Sequence, residues 1–310
     1  MNSKNHFMST KKLTVFTVMV SFALAGVSII SCGNAPEAEN TAEGAEVSIQ
    51  DLEGSAVSTR TETIKKIFYT IPAPMEMASL IQSSGADFDN DVLNPVDRVN
   101  TYMTRKQKAL NLGVYGADLS YTTMFERSKE SLYYLSAVRQ LADQLGASNI
   151  INDNLITRVE ANKEVRDSLI SIVSDTFWSL NAKFKEDGME DVSALVIAGG
   201  WIEALHLATS HVKDNDQLRQ RIAEQKYSLD DLVKLIGTYD NQENLADVKA
   251  DLEKMQTIFA EVQIIKGKTE TSKDDNGTMV IGGAKQVTMS DETLQKVIAA
   301  TQEVRAKYIQ

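Results

Sequence analysis

The stretch VSALVIAGGWIEALHLA, residues 192–208, holds one carboxylate, Glu203, and one imidazole, His206, among fifteen apolar or small residues. A helix that is apolar almost all round has no face to give to water, so it belongs at the centre of a packed helical body. The rest of the chain must then supply enough helices to wrap it. Gly199 and Gly200 fall inside this helix, where each glycine costs about 1 kcal/mol relative to alanine. Such residues are expected where a neighbouring backbone, or a ligand, comes close.

A second segment has the same character. ALNLGVYGADLSYTTMF, residues 109–125, has Asp118 as its only charge and carries Gly113 and Gly116 in its interior. Each of two central helices thus contains a single acid. Gly199, Glu203 and His206 stand at i, i+4 and i+7, on one face, and Tyr115, Asp118, Tyr121 and Thr122 share a face of the other helix. If both faces look inward, they frame a pocket lined by two carboxylates, an imidazole and two phenols. The candidate ligand-contacting residues are Tyr115, Asp118, Tyr121, Gly199, Trp201, Glu203 and His206.

Two carboxylates in unlike environments can divide the work of acid and base, which makes Asp118, Glu203 and His206 the catalytic candidates. The competing reading is structural. A buried carboxylate is commonly neutralised by an arginine, a tyrosine hydroxyl or helix-end amides, and His206 can pair with Glu203 along the helix. No metal site is expected, because one histidine and two acids make a thin ligand set. Trp178 and Trp201 read most economically as core or interface aromatics.

Beyond residue 64 breakers are few, with Pro72, Pro74 and Pro95 the only prolines. The spacing predicts helices over MEMASLIQSSG after Pro74, from Asn94-Pro95 through RVNTYMTRKQKALNL, over 128–145 up to Gly146, and over 153–187, long or broken, up to Gly188. Further helices are predicted over 190–212, over DQLRQRIAEQKY capped by Asp214 or Asn215, over LDDLVKLIGTY opened by Ser228, over 243–265, and from Ser290 to the end. Asp275-Asn276-Gly277 is a turn signal, so a short β-hairpin or flexible excursion is expected near 268–288. The fold expected is all-α, a multi-helix bundle or paired-helix array forming a single helical domain over 61–310. ALNLGVYGADLSY and ALVIAGGWIEALH echo each other at a spacing of 85, but no repeat period runs through the chain.

The N-terminus carries an address. Lys4, Lys11 and Lys12 precede the apolar run LTVFTVMVSFALAGVSII, which ends at Ser31-Cys32-Gly33. This is the pattern of a signal peptide, here residues 1–31. Ile29-Ile30-Ser31-Cys32 resembles the bacterial lipobox, in which the cysteine is acylated and becomes the mature N-terminus. Cys32 is the chain's only cysteine, so once it is lipidated no thiol is left for a disulfide, a metal or a nucleophile. Residues 33–60 are small and polar, with six acids against one arginine, and together with Cys32 read as a disordered acidic tether reaching about 30 Å.

The formal charge is −11, and loss of the first 32 residues removes three lysines and no acid, leaving −14. That balance excludes nucleic acid as an expected partner, since phosphate binding rests on a basic surface. Other motifs fall short. Asp87-Phe88-Asp89-Asn90-Asp91 begins like a calcium loop, but Val92 stands where the glycine is needed and Arg98 where the bidentate acid belongs. His206 and His211 are five apart, the wrong spacing for a zinc pair on one helical face, and no nucleophile elbow, P-loop or dinucleotide fingerprint is present.

The runs IPAPMEMASLIQSSGADFD, KALNLGVYGADLSY and IAGGWIEALHLA resemble a group of uncharacterised all-helical lipoproteins of Bacteroidetes over roughly residues 65–240. The resemblance implies a helical body and a lipid anchor, and it supplies no catalytic residues. The function expected is a non-enzymatic lipoprotein, held on the bilayer through acylated Cys32, that binds an envelope protein or small ligand. Its expected place is the bacterial cell envelope, at the outer membrane, and no cofactor is expected. An envelope hydrolase using Asp118 and Glu203, and a purely structural envelope component, are the alternatives.

Overall fold

The α-helices form where the sequence places apolar residues at helical spacing, and two central ones organise the rest. The structure, a computed structural model, describes Ile71 and residues 74–310 apart from 163, 214, 240–244, 266–269, 274–278 and 283–285. The described residues fall in one compact unit. Cys32 and the segments expected to be signal peptide and tether, 1–31 and 32–60, lie outside them. In chain order the elements are α1 (Pro74–Ser83), a 3-10 turn (Val96–Thr101), α2 (Arg105–Met124), α3 (Ser128–Gln144), α4 (Asp153–Ala161) and α5 (Arg166–Glu186). Then come α6 (Glu190–His211), α7 (Asp216–Gly237), α8 (Ala246–Phe259), four short strands and α9 (Asp291–Tyr308).

The central pair is α2 and α6. Every residue of α6 from Asp191 to Thr209 is buried, as the absence of a polar face requires. By length and composition α6 could cross a membrane, but here it is wrapped by protein. It packs along α2, while α1, α5, α7 and α9 also pack against it. The architecture is all-α.

The glycines explain how close the pair comes. A Cβ on Gly113 would overlap the Val196 carbonyl oxygen and stand 2.5 Å from the Gly200 nitrogen. A Cβ on Gly199 would overlap the Leu110 carbonyl oxygen, and its carbonyl carbon would be 2.8 Å away. Backbone touches backbone there, so the glycine at 199 makes room for a helix and not for a ligand. Gly116 differs: an added Cβ would meet nothing nearer than Phe177 at 4.0 Å.

Local signals set most helix ends. Asn215 and Ser290 cap α7 and α9 by accepting from the Leu218 and Thr293 amides, and Gly146 and Gly188 follow α3 and α5 with φ of +89° and +69°. Three boundaries differ from the sequence expectation. The helix expected from Asn94-Pro95 is a 3-10 turn that stops at Tyr102, whose backbone is extended. Thr104 and Gln107 then open α2 with a reciprocal capping box. Residues 153–187, expected as a long or broken helix, take the broken form, with α4 ending at the Asn162 cap before α5 begins. Ser228 opens no helix. It sits inside the continuous α7, where its hydroxyl bonds to the Gln225 carbonyl and accepts from the Trp201 indole.

The helix expected over 243–265 ends at Phe259, because the chain turns into a β-ribbon. β1 (Gln263–Ile265) pairs antiparallel with β4 (Gln286–Thr288), and β2 (Glu270–Lys273) pairs with β3 (Met279–Gly282). The ribbon therefore begins earlier than the expected hairpin, and its predicted turn, 275–277, lies outside the described residues. Buried Val262, Val287 and Met289 fix its base to the helical body.

Candidate functional site

Past the glycine contact, Asp118, the one acid of α2, and Glu203, the one acid in the apolar stretch of α6, are presented to the same place. Asp118 and Glu203 are both fully buried. Glu203 is gripped by Arg305 of α9, whose Nε donates to Oε2 at 2.6 Å and whose second nitrogen donates to Oε1 at 2.7 Å. That bidentate fork is the strongest geometry an arginine and a carboxylate can adopt. Arg305 also donates to the Val92 carbonyl at 3.1 Å, and the His206 Nε2 donates to the same oxygen at 3.1 Å.

The polar groups converge on the loop at 92–95. The Asn94 amide donates to Asp118 Oδ2 at 3.2 Å, and its carbonyl accepts from the Tyr134 hydroxyl of α3 at 3.1 Å. The Tyr115 hydroxyl donates to the Pro95 carbonyl at 2.9 Å, and the Asn94 side chain donates to Tyr102. Asn111 reaches the other way, donating to the Tyr308 carbonyl at the end of α9. The cluster straps a connecting loop and the C-terminal helix onto the central pair.

Burial dominates its electrostatics. Desolvation, and then the charge of Glu203, push the Asp118 carboxyl well above the usual carboxylate range, against the opposing pull of Arg305 and the Asn94 amide. Burial also raises Tyr115 and Tyr134, and lowers His206, so the phenols and the imidazole are held neutral. With its Nε2 donating to Val92, His206 has a bare Nδ1, which has no hydrogen-bond partner.

A second cluster lies near the C-terminal ends of α2 and α6. The His211 Nδ1 donates to its own helix at the Leu207 carbonyl, 2.7 Å, which leaves Nε2 to accept from the Tyr121 hydroxyl at 3.0 Å. Tyr121 accepts in turn from the Asp89 amide at 3.0 Å and stacks on Phe88, and its burial pushes the phenol up to about 12. A cleft of about 590 Å³, within the range of small-molecule sites, opens between 84–89 and 210–215 and is lined by Asp87, His211 and Lys213 among others.

The expected pocket is thus half assembled. Asp118, Glu203, His206 and Tyr115 do come together. Tyr121 instead faces His211 and Phe88. Gly199 is filled by the Leu110 backbone, and Trp201 points to α7, where its indole donates to Ser228 at 3.0 Å. His206 bonds to Val92 and not, as the structural alternative had it, to Glu203. Arg305, Asn94, Tyr102 and Tyr134 complete the cluster and were missed in the sequence. Arg305 reads there as one more charge on an amphipathic helix, 102 residues from its partner. Among the described residues no group of three or more histidine, cysteine or acidic side chains could hold a metal ion. No family model, curated protein or solved structure matches the chain.

Proposed function

We propose that this protein is a non-enzymatic lipoprotein of the bacterial cell envelope, anchored by acylated Cys32 and presenting its helical body to an envelope protein or small ligand. The anchor is supported by the sequence: lysines, an apolar run and Ile29-Ile30-Ser31-Cys32, followed by an acidic, breaker-rich tether. Acyl chains on that cysteine give stable attachment where one chain alone gives only marginal binding. The outer membrane is the proposed location.

One observation carries the non-enzymatic part. The two acids that looked most like an acid–base pair are fully buried, and both oxygens of Glu203 are occupied by Arg305. A general acid or base must come within hydrogen-bond reach of a substrate proton, and a hydrolase built on this pair would first have to displace Arg305. The arrangement supports a holding role for the acids and leaves recognition to the outer surface. Subcellular fractionation of wild type and Cys32→Ala, with labelled fatty acid supplied in growth, tests the anchor. Wild type is expected in the membrane fraction and labelled, and Cys32→Ala unlabelled and soluble. Unlabelled wild type in the soluble fraction would end the lipoprotein reading.

A further inference from the structure

The buried acid pair has one cation between two carboxyl groups, and its hydrogen bonds say where the missing charge balance comes from. Both oxygens of Glu203 accept from Arg305, the arrangement of an ionised carboxylate. Asp118 is different. Its Oδ2 accepts the Asn94 amide, while its Oδ1, fully buried, receives no donor. The two acids meet at the loop at 92–95, where the Asn94 amide bonds to Asp118 and the Val92 carbonyl to the arginine that grips Glu203, and the Glu203 side chain acts directly on the Asp118 carboxyl. An ionised carboxylate only accepts, so two of them cannot bond to each other; one must carry a proton.

We infer that Asp118 is a neutral carboxylic acid in the folded protein and donates its proton from Oδ1 to Glu203, so that the hold on the C-terminal helix depends on that proton. The charges around it agree. From α2 comes Tyr115, from the segment before α2 Tyr102, from α3 Tyr134, from α6 Glu203 and His206, and from α9 Arg305. Burial holds Tyr115 and Tyr134 in their phenol form and His206 as neutral imidazole, so among the described residues Arg305 is the one cation facing two carboxyls. Ionising Asp118 would leave an uncompensated negative charge in a dry core, which is strongly disfavoured. Desolvation and the Glu203 charge act in the same direction on this carboxyl.

The linkage has a definite sign. Asp118 is raised in the folded state above its ordinary value of 3.8, so the folded protein binds a proton that the unfolded chain has released. Its contribution to stability is complete below the unfolded value and is lost as pH rises through the folded one. Across that window the folding constant falls by up to about tenfold per pH unit from this group. Above it, two carboxylates share the one guanidinium that seats α9.

Infrared spectroscopy of the full chain reads the proton directly. Wild type at neutral pH is expected to show the carbonyl stretch of a protonated carboxylic acid, and Asp118→Asn to lack that band. A wild type without it, or a band that persists in Asp118→Asn, overturns the inference. Urea denaturation at a series of pH values supplies a second reading. The ratio of folding constants, Asp118→Asn over wild type, is expected to climb by up to about tenfold per unit above about pH 4. A flat ratio overturns the inference as well. Should Asp118→Asn fail to fold, Glu203→Gln replaces it: Arg305 is then free to pair with an ionised Asp118, and the acid band must disappear.

Discussion

The two central helices meet in two ways along their length. At Gly113 and Gly199 they are held by shape, with backbone against backbone and no room for a methyl group. About one to two turns further on, at Asp118 and Glu203, they are held by charge, through Arg305 and the loop at 92–95. Close packing is intolerant of added volume, whereas a buried charge network is intolerant of losing one member. The same helix pair therefore has two unlike weaknesses. The signals that revealed them differ too: glycine inside a helix at one end, an isolated acid at the other.

The largest effect is expected at the glycine end. Gly113→Ala drives a Cβ into the Val196 carbonyl, and the backbone cannot step aside without separating the helices. We expect a loss above about 4 kcal/mol, or no folded protein, by urea denaturation followed by circular dichroism. A mild effect would mean that the central pair is less tightly apposed. Next comes Arg305→Met, which leaves the buried Glu203 carboxylate without its cation and should cost about 3–5 kcal/mol in the same assay. Pairing it with Glu203→Leu should recover at least half of that loss, since apolar residues of similar volume can replace a buried ion pair. If the double variant is no better than Arg305→Met, the charge end is held by more than this salt bridge.

Smaller effects sharpen the contrast. Trp201→Phe removes the indole donor to Ser228, whose hydroxyl keeps its Gln225 partners, so about 1 kcal/mol should be lost. Gly116→Ala is the control for the glycine argument. Three residues from Gly113 on the same helix, it has open space toward Phe177, and alanine should raise stability by up to about 1 kcal/mol. A strong loss there would show that Gly116 serves close contact after all.

The fold was largely legible because its signals are local. Asn215, Ser290, Gly146 and Gly188 each end or begin a helix through a hydrogen bond or a backbone angle that depends only on near neighbours. Ser228 shows where this fails. Its capping signature was overruled because α7 keeps burying Leu218, Ile222, Leu229, Leu232 and Ile236 along one face, and a continuous apolar face outweighs one cap. The break at Tyr102–Thr104, inside a run expected as one helix, has a local signal of its own in the capping box of Thr104 and Gln107.

The acids were conspicuous as charges in apolar helices, and the sequence by itself determined that α6 must be central and that Glu203 would need a partner there. It marked Gly113 and Gly116 for close packing or a bend, and Gly199 for the approach of a backbone or a ligand. Only the tertiary structure decided which partner answered Glu203, which glycine was left with open space, and that Tyr121 belongs with His211 and not with Asp118. The reason is physical. Burial follows from hydrophobic periodicity along one segment, whereas pairing depends on which segments meet, and Arg305 reaches Glu203 across 102 residues that carry no mark of the contact.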